Sequence, residues 1–170
     1  MSSPDPSANL RAAILSWLQE AQRLRAQVSA AVPPLGSHPD RFAEALLVAR
    51  GCQDRVEQIL GEAESLRHMS RRWAWDLEAT ADDAYDAQVA ANRQMGRGGE
   101  GDYRTGRERQ AEINLSILTQ LQAHRAARRF YDEVDELVER LRLLHRGIDG
   151  TRQDLGNYLR HVQWEKSMER

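Results

Sequence analysis

The stretch FYDEVDELVERLRLLHRGIDGTRQDLGNYLRHV, residues 130–162, decides the fold. Within it Phe130, Val134, Leu137, Leu141, Leu144, Ile148, Thr151, Leu155, Tyr158 and Val162 follow one another at alternating steps of four and three. That spacing lays a seam along one side of a helix and calls for a second helix to cover it. Every member except Thr151 is apolar. The positions between them carry Asp132, Glu133, Asp135, Glu136, Glu139, Arg140, Arg142, Arg146 and Arg152, so the opposite side is solvated. The seam reads first as an assembly surface, shared between copies of the chain.

Working outward, the five prolines fall at positions 4, 6, 33, 34 and 39, and runs of Val, Ile and Thr with period-two alternation are absent. Charged residues make up 29% of the 170 residues and aromatics 6%, a balance suited to long helices rather than a thick globular core. The expected fold is all-α. Asp5 and Pro6 open a first helix, in which Leu10, Ile14, Trp17, Ala21, Leu24 and Val28 keep four-three spacing to about Val32. The run from Val32 to Pro39 breaks it. A second helix is expected from Pro39 to about Asn92, its apolar face formed by Phe42, Leu46, Ala49, Val56, Leu60, Ala63, Leu66, Trp73, Leu77 and Tyr85. Gly96 to Asp102 is the one strong internal breaker, and Thr105 with Glu108 forms a capping box for a third helix from Gly106 to about Met168. The expected architecture is a long antiparallel helical hairpin of coiled-coil type, residues 37–170, preceded by an amphipathic arm and linker, residues 1–36. Gly147, Gly150 and Gly156 either permit close helix approach or mark a joint in the last helix.

A formal net charge of −2 gives no global attraction to nucleic acid or anionic membrane, so such binding would have to come from local clustering. Cys52 stands alone and allows no intrachain disulfide. No segment approaches 18 consecutive apolar residues, and the N-terminus lacks the basic start and apolar run of a leader. The expectation is a protein without a membrane partner, in the cytoplasm of a bacterial or phage-infected cell.

Folding the hairpin near position 100 sets Arg67, His68, Arg71 and Arg72 level with His124, Arg125, Arg128 and Arg129, so two basic clusters become one belt with Trp73 and Trp75 beside it. Arginines track phosphates and aromatic faces stack bases, the combination a sequence-tolerant single-strand binder uses. The expected nucleic-acid contacts are Arg67, Arg71, Arg72, Trp75, Arg125, Arg128 and Arg129. Trp73, in step with Leu66 and Leu77, is expected inside. The competing account is a solvated face: Arg72 with Asp76, Arg128 with Asp132 and Arg129 with Glu133 are all spaced for i, i+4 ion pairs. Arg93, Arg97, Arg104, Arg107 and Arg109 form a second basic patch near the turn.

Catalytic signals are missing. The five histidines show no i, i+4 pairing, one cysteine rules out a multi-cysteine zinc site, and the glycine-rich turn follows no strand and so fits no phosphate loop. Neither enzyme activity, nor a metal, nor a cofactor is expected.

Taken together, Arg67-His68-Met69-Ser70-Arg71-Arg72-Trp73 late in the second helix, Arg146-Gly147, and the closing Val162-Gln163-Trp164-Glu165-Lys166 resemble the phage recombination mediators of the UvsY type over roughly residues 40–168. The resemblance implies a non-catalytic homo-oligomer that binds single-stranded DNA and helps load a recombinase in place of single-strand-binding protein. It also implies that Arg67, Arg71 and Arg72 contact the DNA backbone and that the seam from Leu141 to Trp164 assembles the oligomer. The alternative is a helical adaptor or structural assembly protein that binds other proteins only.

Overall fold

The computed structural model describes residues 6–94 and 106–168, and apart from 32–38 and Ile117 all of them are helical. The helices are α1 (Pro6–Ala31), α2 (Pro39–Gln94), α3 (Gly106–Ser116) and α4 (Leu118–Met168). Asp5, the glycine-rich run and Thr105 lie outside the described residues.

The connector 32–38 is built by its own residue types. The Ser37 N–H donates to the Pro34 carbonyl at 3.1 Å, closing a turn whose third residue, Gly36, has φ 90°, a conformation that costs a side chain dearly. His38 then caps α2: the Arg41 N–H donates to its carbonyl at 3.0 Å, and the Asp40 N–H to its ring Nδ1 at 3.4 Å. Pro39 takes the first helical position, where its missing N–H is harmless.

The chain forms two compact units. The first joins α1, residues 39–66 of α2 and residues 134–168 of α4. Its α2 face buries Phe42, Ala45, Ala49, Cys52, Val56, Ile59, Ala63 and Leu66, at unbroken steps of three and four. Opposite, α4 buries Val134, Leu137, Val138, Leu141, Leu144, Ile148 and Leu155. Phe42 stacks on Tyr158 with ring centroids 4.1 Å apart, the His145 ring meets the Glu57 carboxylate at 3.1 Å, and the Arg142 guanidinium meets Glu64 at 2.7 Å. As the α2 number rises its α4 partner falls, which makes the pair antiparallel. Each fully buried Ile, Leu or Val contributes roughly 1.5–3 kcal/mol relative to exposure, so this seam supplies most of the unit's driving force.

α1 docks on the same chain. Ile14, Ala21 and Val28, seven residues apart, are buried, Trp17 and Leu24 half-buried, and Leu10 exposed. A forked ion pair fixes its register: Arg55 Nε and Nη2 donate to the two Glu20 oxygens at 2.8 and 3.2 Å. The Arg25 side chain lies against Gly147, where an added Cβ would sit 3.3 Å from its Nε. The arm therefore clusters with the first unit rather than standing apart as residues 1–36.

This packing corrects the ground for reading the seam as shared between copies. Val134, Leu137, Leu141, Leu144, Ile148 and Leu155 are buried by their own chain, as is Phe130 in the second unit, with Tyr158 and Val162 half-buried. Their spacing demanded a covering helix, and α1 and α2 provide it. Only Trp164, 57% exposed and stacked on His161, remains open.

The second unit, residues 67–133, has a thinner core of small side chains: Ser70, Ala74, Ala81, Asn92, Ile113, Ile117, Ala127 and Phe130 are buried. Ser70 is satisfied by donating its hydroxyl to the Arg67 carbonyl at 3.0 Å. Tyr85 donates to the Gln110 side chain at 3.1 Å, linking α2 to α3. The last helix is interrupted at Ile117 and not at the glycines. There the Ser116 hydroxyl back-bonds to the Ile113 carbonyl at 2.7 Å, yet the ladder continues, Ile117 N–H to Ile113 O at 3.2 Å and Leu121 N–H to Ile117 O at 3.1 Å. α4 runs unbroken through Gly147, Gly150 and Gly156, and a Cβ at either of the last two would meet nothing within 4 Å.

Candidate nucleic-acid interface

All seven residues expected to bind nucleic acid fall in the second unit, on two helical segments. On α2, Arg67, Arg71 and Trp75 stand four apart and so share one stripe, with Arg72 beside it. On α4, Arg125, Arg128 and Arg129 lie at three- and four-residue spacing. The two segments are held level by Trp73, whose ring meets Phe130 edge-on at a centroid distance of 6.4 Å and 72°.

Arg71 and Trp75 are brought together most closely: the guanidinium carbon sits 4.3 Å from the indole centroid. Such a stack holds the arginine by its face and leaves its N–H edges free for phosphate oxygens. Trp75 is 51% exposed, and Trp73 46% exposed, so Trp73 is not the core residue its spacing implied. The reason is geometric. After Leu66 the buried positions run Ser70 and Ala74, successive steps of four, which rotate the buried face past Trp73. Small Ser70 and Ala74 take the interior and the indole leans on Phe130 from the rim.

Arg128 is held on two sides, its guanidinium carbon 5.4 Å from the Tyr131 centroid and its Nε 3.5 Å from Asp132. Sequence reasoning missed Tyr131, although its i, i+3 spacing from Arg128 carries the signal. Arg72, Arg125 and Arg129 are exposed, while Arg67 is half-buried and engaged. Of the three i, i+4 pairs that a purely solvated face would form, Arg128 with Asp132 closes; among the described residues Arg72 makes no ion pair with Asp76, whose carbonyl instead accepts from Thr80 at 2.8 Å. Arg93 and Arg107 are exposed and Arg109 half-buried, while Arg97 and Arg104 lie outside the described residues. Over its whole length the second unit carries eleven arginines and eleven acids, so any attraction it exerts is local to this patch.

Among the described residues no group of three or more His, Cys, Asp or Glu could hold a metal, and no helix is long and apolar enough to cross a membrane. Fold and patch define an all-α helical-hairpin protein with an exposed arginine and tryptophan surface. No known protein family, curated protein or solved structure matches the chain.

Proposed function

We propose that this is a non-enzymatic helical accessory protein that binds single-stranded nucleic acid through the patch around Arg71, Arg72, Trp73 and Trp75, with Arg125, Arg128 and Arg129 extending it. The supporting observation is two half-exposed indoles within three residues of each other, one of them capped by a guanidinium. Burying a ring only halfway forgoes hydrophobic stabilisation that a small polar residue at the surface would not need, and a base stacked on it recovers that area. In keeping with the UvsY-type resemblance, such a protein acts beside a recombinase or single-strand-binding protein by holding DNA, without making or breaking bonds.

A short labelled oligonucleotide followed by fluorescence anisotropy tests this. Binding should weaken steeply with salt. Changing Arg71 and Arg72 together to Ala should lower the salt slope by about 1.4, the value for two phosphate contacts on a single strand. Trp75→Ala should cost roughly 1–3 kcal/mol of binding at every salt concentration. The second reading, a module that binds only proteins, is favoured by Leu115 and Met69, 72% and 61% exposed in the same unit. Absence of any anisotropy change at micromolar protein and low salt would decide for it.

A further inference from the structure

We infer that a groove in the first unit, between residues 46–50 of α2 and residues 152–163 of α4, binds a small phosphate-bearing ligand. The groove has a volume of 580 Å³, within the usual range for small-molecule sites. Its walls carry Arg50 from one helix and Arg152 and Arg160 from the other, with Leu46 and Leu159 as apolar surfaces and no carboxylate. Outside the groove, the first unit holds more acids than bases, so this concentration of positive charge is local.

Of the three arginines, Arg152 is ion-paired with its own helix, and Arg50 and Arg160 have no ion pair among the described residues. Arg152 is oriented by Asp149, which accepts from its Nε and Nη2 at 3.2 and 2.8 Å. Arg160 is steadied by a neutral group, donating from Nη2 to Asn157 Oδ1 at 2.6 Å, which leaves its charge uncompensated. Arg50 is exposed, and among the described residues it makes no ion pair with Asp54, the acid one turn further along α2. Two guanidinium charges, Arg50 and Arg160, therefore line one cleft from opposite helices, and a guanidinium fork suits phosphate oxygens.

Gly156 sets the room on the α4 wall of the groove. It stands four residues from both Arg152 and Arg160 on one stripe of α4, and a Cβ there would meet nothing within 4 Å. A mid-helix glycine is unfavourable by about 1 kcal/mol relative to alanine, and here packing does not require it. What its missing side chain leaves is room between Arg152 and Arg160 along that wall. The site is separate from the tryptophan patch, which lies in the other unit, and does not depend on the nucleic-acid reading.

The test is calorimetric titration of the full chain with pyrophosphate at low salt. One molecule should bind per chain, and Arg50→Gln and Arg160→Gln should each weaken it about tenfold, the scale of one charge-assisted hydrogen bond. Gly156→Leu, which favours helix and alters no charge, should abolish the heat by filling the groove. Arg146→Gln, at an exposed arginine of the same unit outside both the groove and the tryptophan patch, should leave the titration unchanged. Circular dichroism melting checks that each variant stays folded. No heat at millimolar pyrophosphate would overturn the inference. So would binding insensitive to Gly156→Leu, or equally weakened by Arg146→Gln, since either would reveal general charge attraction.

Discussion

Leu141→Ala asks whether the seam is satisfied within one chain. Leu141 is fully buried in α4, in a core with Val56, Ile59, Val134 and Val138, all likewise fully buried. The substitution removes three carbons, about 2.4 kcal/mol at ~0.8 kcal/mol each. Neighbours on long, continuous helices cannot collapse far into the hole, so a cavity contribution adds to this; Leu→Ala changes at such sites cost about 2–5 kcal/mol, and we expect about 3 kcal/mol. For a chain of this length that lowers the melting temperature by roughly 6–12 °C. Leu143→Ala, two residues on but 61% exposed, should change stability by no more than about 0.5 kcal/mol. The assay is urea unfolding followed by circular dichroism at two protein concentrations a decade apart, with light scattering on the same samples. Cover supplied by the chain itself makes both midpoints independent of concentration and leaves particle mass unaltered by the substitution. A wild-type midpoint that climbs with concentration, together with a smaller particle for Leu141→Ala, would refute the reasoning and restore the seam to the space between copies.

Gly36→Ala should destabilise the connector by about 1–2 kcal/mol through backbone strain alone, because φ is 90° and nothing lies within 4 Å of a new Cβ; Gly150→Ala, equally uncrowded but helical, should stabilise by about 0.4–1 kcal/mol, and urea midpoints of the two compare them directly. Acid should unfold the first unit progressively. Hydrogen bonds from Arg55 to Glu20, from Gln53 and His145 to Glu57, and from Arg152 to Asp149 hold these carboxyls below their ordinary pKa values. Depressed folded values give a contribution complete above the ordinary carboxylate range and lost as pH falls through the folded values, so midpoints should be flat down to about pH 5 and then drop. Glu20→Gln should make that drop shallower; a slope unchanged by it would remove the Glu20–Arg55 fork from the account.

Helix ends and register were legible because single residues determine them. Pro6 and Pro39 open α1 and α2, and the pairing of Phe42 with Tyr158, Glu57 with His145 and Trp73 with Phe130 stays within a few residues of the fold-back that the glycine-rich run implies. What covers the seam was not legible, since four-three spacing specifies a covering helix without specifying its chain. On α2 the phase was blurred by adjacent apolar pairs. Ala45 lies inside and Leu46 at the margin, Ile59 inside and Leu60 at the margin, and Cys52 completes a face whose small members carry weak hydrophobic signal. Trp73 misled because a large apolar residue in step with Leu66 is assigned inward unless the drift of an undistorted helix is followed turn by turn. The break at Ile117 has no glycine or proline to announce it, only Ser116, whose hydroxyl competes with the backbone for the Ile113 carbonyl. At the patch, the residue types were readable, whereas the clasp of Arg71 on Trp75 depends on which rotamers the surroundings allow.

Cys52 sits on the inner face of α2 in the first unit, and burial pushes its thiol above the ordinary pKa. A sulfur so placed is scarcely ionised near neutrality and shielded from reagents, so it stays inert while the helices remain closed. As the chain's single cysteine, it makes the protein its own stopwatch: each alkylation event records one moment when those helices parted, with no engineered handle required.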